Sequence, residues 1–390
     1  MNPPKHILPV IVLSQFFCTS LWFAGNGVMH ELQTTFLLNE NALGHLTSVL
    51  QFGFIVGTFL FAILSIADRY APSKVFFGCA VLGAICNVFL VWKGNTYTSI
   101  LLFRFFTGFF LAGIYPVGMK IAADYYQKGL GKSLGYLVGA LVIGTAFPHL
   151  LKEIKGELPW EFVIITTSVL ALLGGIVMLF FVPNGPYRKP SQKIDLKAIP
   201  TIFKEQKFRK AAFGYFGHMW ELYAFWAFVP SMLHLFNKTH TTTFNIPVAS
   251  FSIIAIGGLA CVLGGYISQK IGVKQVAMSS LALSCLCCLL FPLLFSVGSA
   301  NLFIVFLLFW GMVVIADSPL FSTLVAQNAP SSLKGTALTI VNCIGFFITI
   351  ISIQLLNTLQ TWTNTPIILT VLAFGPLIGL MVLLGKKKTR

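Results

Sequence analysis

Hydrophobic blocks of about twenty residues, almost free of charge, recur roughly a dozen times along this chain; 7–29 and 42–66 are two of them. At 1.5 Å rise per residue, about twenty apolar residues cover the ~30 Å hydrocarbon core of a bilayer. A membrane β-barrel would instead show ten-residue alternating segments, and none are present. The chain therefore reads as an all-α membrane protein. Its charge content agrees: 9% of residues are charged, where a soluble domain has about a quarter.

Twelve spans are expected, near 7–29, 42–66, 75–92, 98–123, 133–151, 161–182, 211–236, 247–268, 275–297, 302–327, 335–358 and 366–384. They are numbered 1 to 12 below. An even number puts both chain ends on one side. That side gathers Lys5, Arg69, Lys74, Lys128, Lys132, the basic residues of the central loop, Lys270, Lys274, Lys334, and the tail residues Lys386, Lys387, Lys388 and Arg390. The other side has Lys93, Lys152, Lys155 and Lys238. Short basic loops stay cytoplasmic, so both termini are expected in the cytoplasm. The net charge of +15 is then a matter of topology and anionic lipid, not of nucleic-acid binding. Span 1 is too long for the apolar part of a cleavable signal peptide. All eight cysteines fall inside apolar spans and read as small hydrophobes, with no disulfide framework, metal site or cofactor implied.

The one long hydrophilic stretch, Pro183–Lys210, divides the chain into residues 1–182, a basic linker 183–210, and residues 211–390. The two parts resemble each other at an offset of about 202. Leu21-Trp22-Phe23 parallels Phe225-Trp226-Ala227, Asp68-Arg69 parallels Gln269-Lys270, and Gly108 with Pro116 parallels Gly311 with Pro319. Such duplication is typical of secondary transporters.

At this point the chain resembles the major facilitator superfamily over its full length. That family carries a Gly-x-x-x-Asp-Arg-x-Gly-Arg-Lys loop after span 2. Here 64–74 keeps Asp68-Arg69 and lacks both glycines, while the second copy keeps Gly265 and Gly272 and lacks the acid. Arg104 and Gly108 match the family's Arg-x-x-x-Gly in span 4. The resemblance implies two pseudosymmetric six-helix bundles around a central cavity lined by spans 1, 4, 7 and 10. It implies a gating role for Asp68 and Arg69, and a multi-pass place in a bacterial inner membrane, with one chain sufficient as a monomer. In span 5, Gly135, Gly144 and Pro148 form only part of an exporter motif.

Charge inside a span costs roughly 2.5–3.5 kcal/mol at a helix centre, so it marks a cavity or a partner. Arg104, Lys120, Glu221 and Asp317 lie within spans 4, 4, 7 and 10, the spans the family assigns to the cavity. Arg104 is a candidate anion clamp sharing a stripe with Gly108 and Tyr115; a structural ion pair is the other reading. Lys120 either assists it or snorkels to water. Glu221 stands three residues after His218, so the two should meet and hold or release one proton; a packing hydrogen bond is the alternative. Asp317 is a second candidate acid, or a cap for backbone freed by Pro319. Gln15, Thr19, Trp22 and Asn26 form a polar-aromatic stripe on span 1, and Tyr115, Trp220 and Trp226 are candidate aromatic walls.

These residues suggest a secondary transporter moving a small anionic or zwitterionic solute by proton-coupled alternating access. Arg104, Tyr115, Lys120, Gln15, Trp22, Asn26, Trp220 and Trp226 would bind the solute, and Glu221, His218 and Asp317 would carry the proton. The alternative is a proton-antiport exporter of drug-like compounds or a secreted metabolite such as a siderophore. Gly131-Lys132-Ser133 resembles the end of a phosphate-binding loop, but Tyr126 stands where its first glycine belongs, so ATP is not the expected energy source. No nucleophile–base or metal spacing suggests an enzyme.

Overall fold

A computed structural model describes residues 4–126, 130–154, 156, 158–188, 195–330, 333–363 and 365–385. Lys128, Lys155, Lys189, Lys193 and the basic tail at 386–390 lie outside them. Every regular element among the described residues is helical. Ten segments are long and apolar enough to cross a bilayer, and they correspond to spans 2–6 and 8–12.

The other two spans are present in a different form. Span 1 is not one rod: Ile7–Thr19 ends, the chain turns through Ser20–Phe23, and short helices Ala24–Gly27 and Met29–Thr35 follow. Span 7 lies within a 35-residue helix, Gln206–His240. Its middle carries His218, Trp220, Glu221 and Tyr223 in place of aliphatic residues, so it is less apolar than its neighbours. Most of those side chains are buried in protein, not lipid.

Two further breaks follow from proline, which is tolerated in a helix's first turn but disrupts its interior. Span 4 runs as Tyr97–Leu111 and restarts as Tyr115–Tyr125, with Pro116 in the new first turn. Span 10 runs as Ala300–Ala316 and restarts as Ser318–Asn328, with Pro319 in the same place.

The packing repeats between the halves. Span 1 packs on spans 5 and 6 as span 7 packs on 11 and 12. Span 2 packs on 4 as 8 packs on 10, and span 3 on 6 as 9 packs on span 12. The repeat reaches single atoms. Gly108 lies against the Leu50 carbonyl and Gly311 against the Ile253 carbonyl, so close that a Cβ would overlap the oxygen in each. The fold is thus two pseudosymmetric six-helix bundles. They meet along two seams, span 5 on span 8 and span 2 on span 11.

The seams differ in chemistry. Between spans 5 and 8, glycine lets backbones approach: a Cβ on Gly139 would sit 3.1 Å from the Gly258 oxygen. Toward the face carrying the chain ends, Lys132 lies over the Tyr266 ring at 5.6 Å. Between spans 2 and 11 the contacts are polar. Asn357 Nδ2 donates to Asn41 Oδ1 at 3.0 Å, and Gln354 Nε2 donates to Ser48 Oγ at 2.8 Å. Elsewhere the outer surface is apolar, with Phe180, Leu259, Leu293 and Val305 well exposed. A surface of that kind belongs in hydrocarbon.

Candidate functional site

The break in span 1 leaves backbone carbonyls without helical donors, and buried carbonyls need partners. Arg104 supplies them. Its Nη1 donates to the Leu21 oxygen at 3.2 Å and its Nη2 to the Trp22 oxygen at 2.6 Å, with the side chain 1% exposed. Gly25 leaves room for this: a Cβ there would lie 3.5 Å from Arg104 Nε. The expected anion clamp therefore has both terminal nitrogens on the backbone of its own bundle. Only Nε lacks a partner among the described residues.

The expected Glu221–His218 pair is not formed. Residues three apart on a helix point to neighbouring faces, and here each face finds another partner. Glu221 turns into its own bundle. Its Oε1 accepts from Trp310 Nε1 at 2.6 Å and its Oε2 from Ser284 Oγ at 2.9 Å. His218 instead faces Asp317, with Nδ1 2.8 Å from Oδ1, an ion pair when the imidazole is protonated, and both side chains are 1% exposed. Asp317 sits at the break in span 10 and its side chain does not cap the helix that follows. Asp317 Oδ2 and His218 Nε2 have no hydrogen-bond partner among the described residues. Trp310, which bonds Glu221, stands two helical turns before Asp317 on span 10.

Lys120 is also placed differently from expectation. Its Nζ pairs with Asp68 Oδ1 at 2.7 Å, so it belongs with the loop after span 2 and not with Arg104. Arg188 extends that cluster, its Nη2 donating to the carbonyls of Asp68 and Tyr70 at 2.9 Å each. Arg69 is exposed. The ion pair spans the loop and the end of span 4, at the face carrying the chain ends.

Midway between the bundles, aromatic rings from both halves meet. Trp22 lies 4.9 Å from Phe54 of its own half, and stacks on Tyr223 at 5.6 Å and Phe346 at 5.8 Å across the seam. Phe54 and Phe346 approach to 4.4 Å, and Tyr223 meets Trp226 at 5.3 Å. Trp22, expected in the span 1 stripe, and Trp226, expected as a wall, both lie in this ring cluster. Trp220 does not: its Nε1 donates to the Val371 oxygen at 3.1 Å and its ring rests on Phe374, both in span 12. Asn26 donates to Thr47 Oγ1 at 2.8 Å, and Thr19 bonds the Gln15 backbone oxygen, so both serve helix packing. Gln15 lies against Gly118 of span 4, and neither of its amide atoms has a partner among the described residues. Tyr115 is partly buried and packs against the hydrophobic core.

Several of these residues escaped the sequence reading. Phe54, Tyr223 and Phe346 are ordinary aromatics in apolar spans, and nothing in their spacing sets them apart. Gln51 carried a signal that was available: an amide in the middle of span 2, buried, with neither atom partnered among the described residues.

Two six-helix bundles that meet along two seams, with aromatic rings from both halves closing on each other between them, have the architecture of a membrane transporter. The chain belongs to the major facilitator superfamily, whose family model matches residues 11–353. It is 26% identical over 313 residues to an uncharacterised MFS-type transporter of Methanocaldococcus jannaschii, covering 74% of this chain and 72% of that one. Among solved structures it is similar to the proton:xylose symporter XylE, with a TM-score of 0.75 and 14% identity over 96% of this chain and 94% of that one. It is similar also to the nucleoside transporter NupG, with a TM-score of 0.72 and 15% identity over 97% and 98% of the two chains. A bacterial homologue of the lysosomal transporter Spinster aligns with a TM-score of 0.67 and 16% identity over 97% and 93%. At these identities the structures attest the fold.

Proposed function

We propose that this transporter moves a small solute by alternating access coupled to protons, with Asp317 and His218 as the proton-carrying pair. The observation that carries the reading is their ion pair at the break in span 10. A buried pair that shares one proton is neutral overall, and taking up or losing another places net charge between apolar helices. That change costs heavily unless the surroundings rearrange. A charge that one arrangement of the bundles tolerates better than the other shifts the balance between them, and proton and solute binding are thereby linked. The proton:xylose symporter supports coupling as a possibility within this fold. Glu221, bonded on both oxygens by neutral donors, is tied through Trp310 to the span that carries Asp317.

The engagement of Arg104 argues against an anion clamp, so an uncharged or zwitterionic solute fits better than an anion. The charge asymmetry between the two faces supports termini in the cytoplasm of a bacterial inner membrane. Reconstituted vesicles test the proposal. Asp317→Asn should abolish pH-gradient-driven accumulation while solute exchange without a gradient persists. Full gradient-driven accumulation in both Asp317→Asn and Glu221→Gln would leave the coupling assignment without support.

A further inference from the structure

The ring cluster at the seam has a chemical character beyond being aromatic. Trp22 faces Tyr223 and Phe346 at 28° and 29°, close to parallel and within stacking distance. The two halves therefore close upon each other as flat surfaces. Around this stack stand polar atoms with no partner among the described residues: Trp22 Nε1, Trp226 Nε1, and both amide atoms of Gln51, one helical turn from Phe54. Trp22, Trp226 and Gln51 are at most 1% exposed. Such atoms have given up their bonds to water without replacement, an arrangement that is unfavourable until something supplies the missing partners.

None of these atoms carries formal charge. The indoles can only donate, and the amide donates and accepts side by side. The charged groups nearby point elsewhere: Arg104 to the span 1 backbone, Glu221 to Trp310 and Ser284.

We propose that the solute recognised at this seam is an uncharged, planar heteroaromatic compound with hydrogen-bonding groups on its ring edge, held against Trp22. This deepens the transport reading and rests on the seam being the solute site. A flat ring entering between Trp22 and its two partners replaces the stacks it breaks with stacks on both of its own faces, so parting the rings is offset by the solute itself. A ring-edge acceptor satisfies the N–H of Trp226, which stands edgewise to Tyr223 at 68°. An adjacent donor and acceptor match the Gln51 amide, which can pair bidentately with such an edge. An anion would find no free cation among these groups. A non-planar polyol would offer hydroxyls but no face to stack.

The purified full chain, titrated by intrinsic tryptophan fluorescence, tests the assignment. The probes are hypoxanthine and uracil as uncharged heteroaromatics, benzoate as a planar anion, and glucose as an uncharged non-planar solute. Saturable quenching is expected with hypoxanthine or uracil and not with benzoate or glucose. Trp226→Phe keeps a ring and removes the N–H, and should weaken binding about tenfold. Gln51→Leu, at a site away from the stack's faces, should weaken it by a similar factor, with size-exclusion profiles confirming that both variants fold. The assignment is overturned if no probe binds, if benzoate or glucose binds as tightly as the heteroaromatics, or if both variants bind like the parent. Binding without movement across vesicles would sink the transport reading and leave the recognition chemistry standing.

Discussion

Arg104 shows how one residue can be found for one reason and act for another. A guanidinium in an apolar span is conspicuous in sequence, and its burial in span 4 was legible there. Its partners were not, because they are backbone carbonyls exposed by a break in span 1 that no residue pattern announced. The forked geometry matters: lysine carries a point charge and cannot reach two separate carbonyls in the same way. Arg104→Lys is therefore expected to lower stability by about 2 kcal/mol, since hydrogen bonds to charged groups contribute roughly 1.5–3 kcal/mol. Thermal unfolding of the purified protein checks this. Unchanged unfolding together with lost solute binding would instead make Arg104 a solute ligand. The acids follow the same pattern. Asp317, His218 and Glu221 stood out as polar residues in apolar helices, but helical spacing alone put Glu221 with His218. Only three-dimensional packing shows that Trp310 and Ser284 claim the glutamate and leave His218 to the aspartate. For Lys120 and Asp68, partly exposed and 2.7 Å apart, exchange of the two charges should restore whatever Lys120→Gln or Asp68→Asn removes. A double-mutant cycle on thermal stability measures that coupling, expected to be within about 1 kcal/mol for a pair in reach of solvent.

At the scale of elements, the helices obey rules written plainly in the chain. Length and apolar content gave the spans, and Pro116 and Pro319 gave two of the breaks. Glycine sets how closely the rods pack. Gly53 and Gly57 meet the Phe105 and Phe109 carbonyls of span 4, and Gly375 and Gly379 meet span 7, so these four-residue glycine spacings are packing sites. Gly108 and Gly311 occupy equivalent places, each against a carbonyl that a methyl group would strike. Gly108→Ala and Gly311→Ala are expected to destabilise by about 1–3 kcal/mol, as overpacking does. Gly265 has open space where its Cβ would go. Gly265→Ala should therefore stabilise slightly, by about 0.5–1 kcal/mol from helix propensity alone. Parallel melting curves separate the two outcomes, and equal effects at all three positions would refute the packing argument. Span 1 resists this kind of reading, because its turn at Ser20–Phe23 contains no proline or glycine and depends on Arg104 in another span.

At the scale of the whole molecule, the bundles are joined at both seams and through their aromatic centre, so movement of solute requires contacts on one seam to part. Gly44 of span 2 and Asn357 of span 11 lie together at the polar seam, where a Cβ on Gly44 would be 2.8 Å from that of Asn357. Gly44→Cys with Asn357→Cys, in a background lacking the native cysteines, needs the two helices to part by about 1 Å to reach the ~3.8 Å Cβ separation of a disulfide, and the bond once formed by oxidation should stop transport reversibly. Cross-linked protein that transports at the parent rate would show that this seam does not open. The duplicated architecture was visible in sequence through a handful of aligned residues, whereas the seams were not, because contacts between halves join positions hundreds of residues apart.

The linker carries a consequence of its own. Arg188 grips the carbonyls of Asp68 and Tyr70 in the first bundle, and a few residues later the Asp195 amide donates to Thr336 Oγ1 at the start of span 11. The strap is short and anchored at both ends on that face. The two moorings are seven residues apart along the chain, and an extended chain covers at most about 3.3–3.6 Å per residue, so any parting of the bundles on that face that keeps both bonds is bounded by that reach.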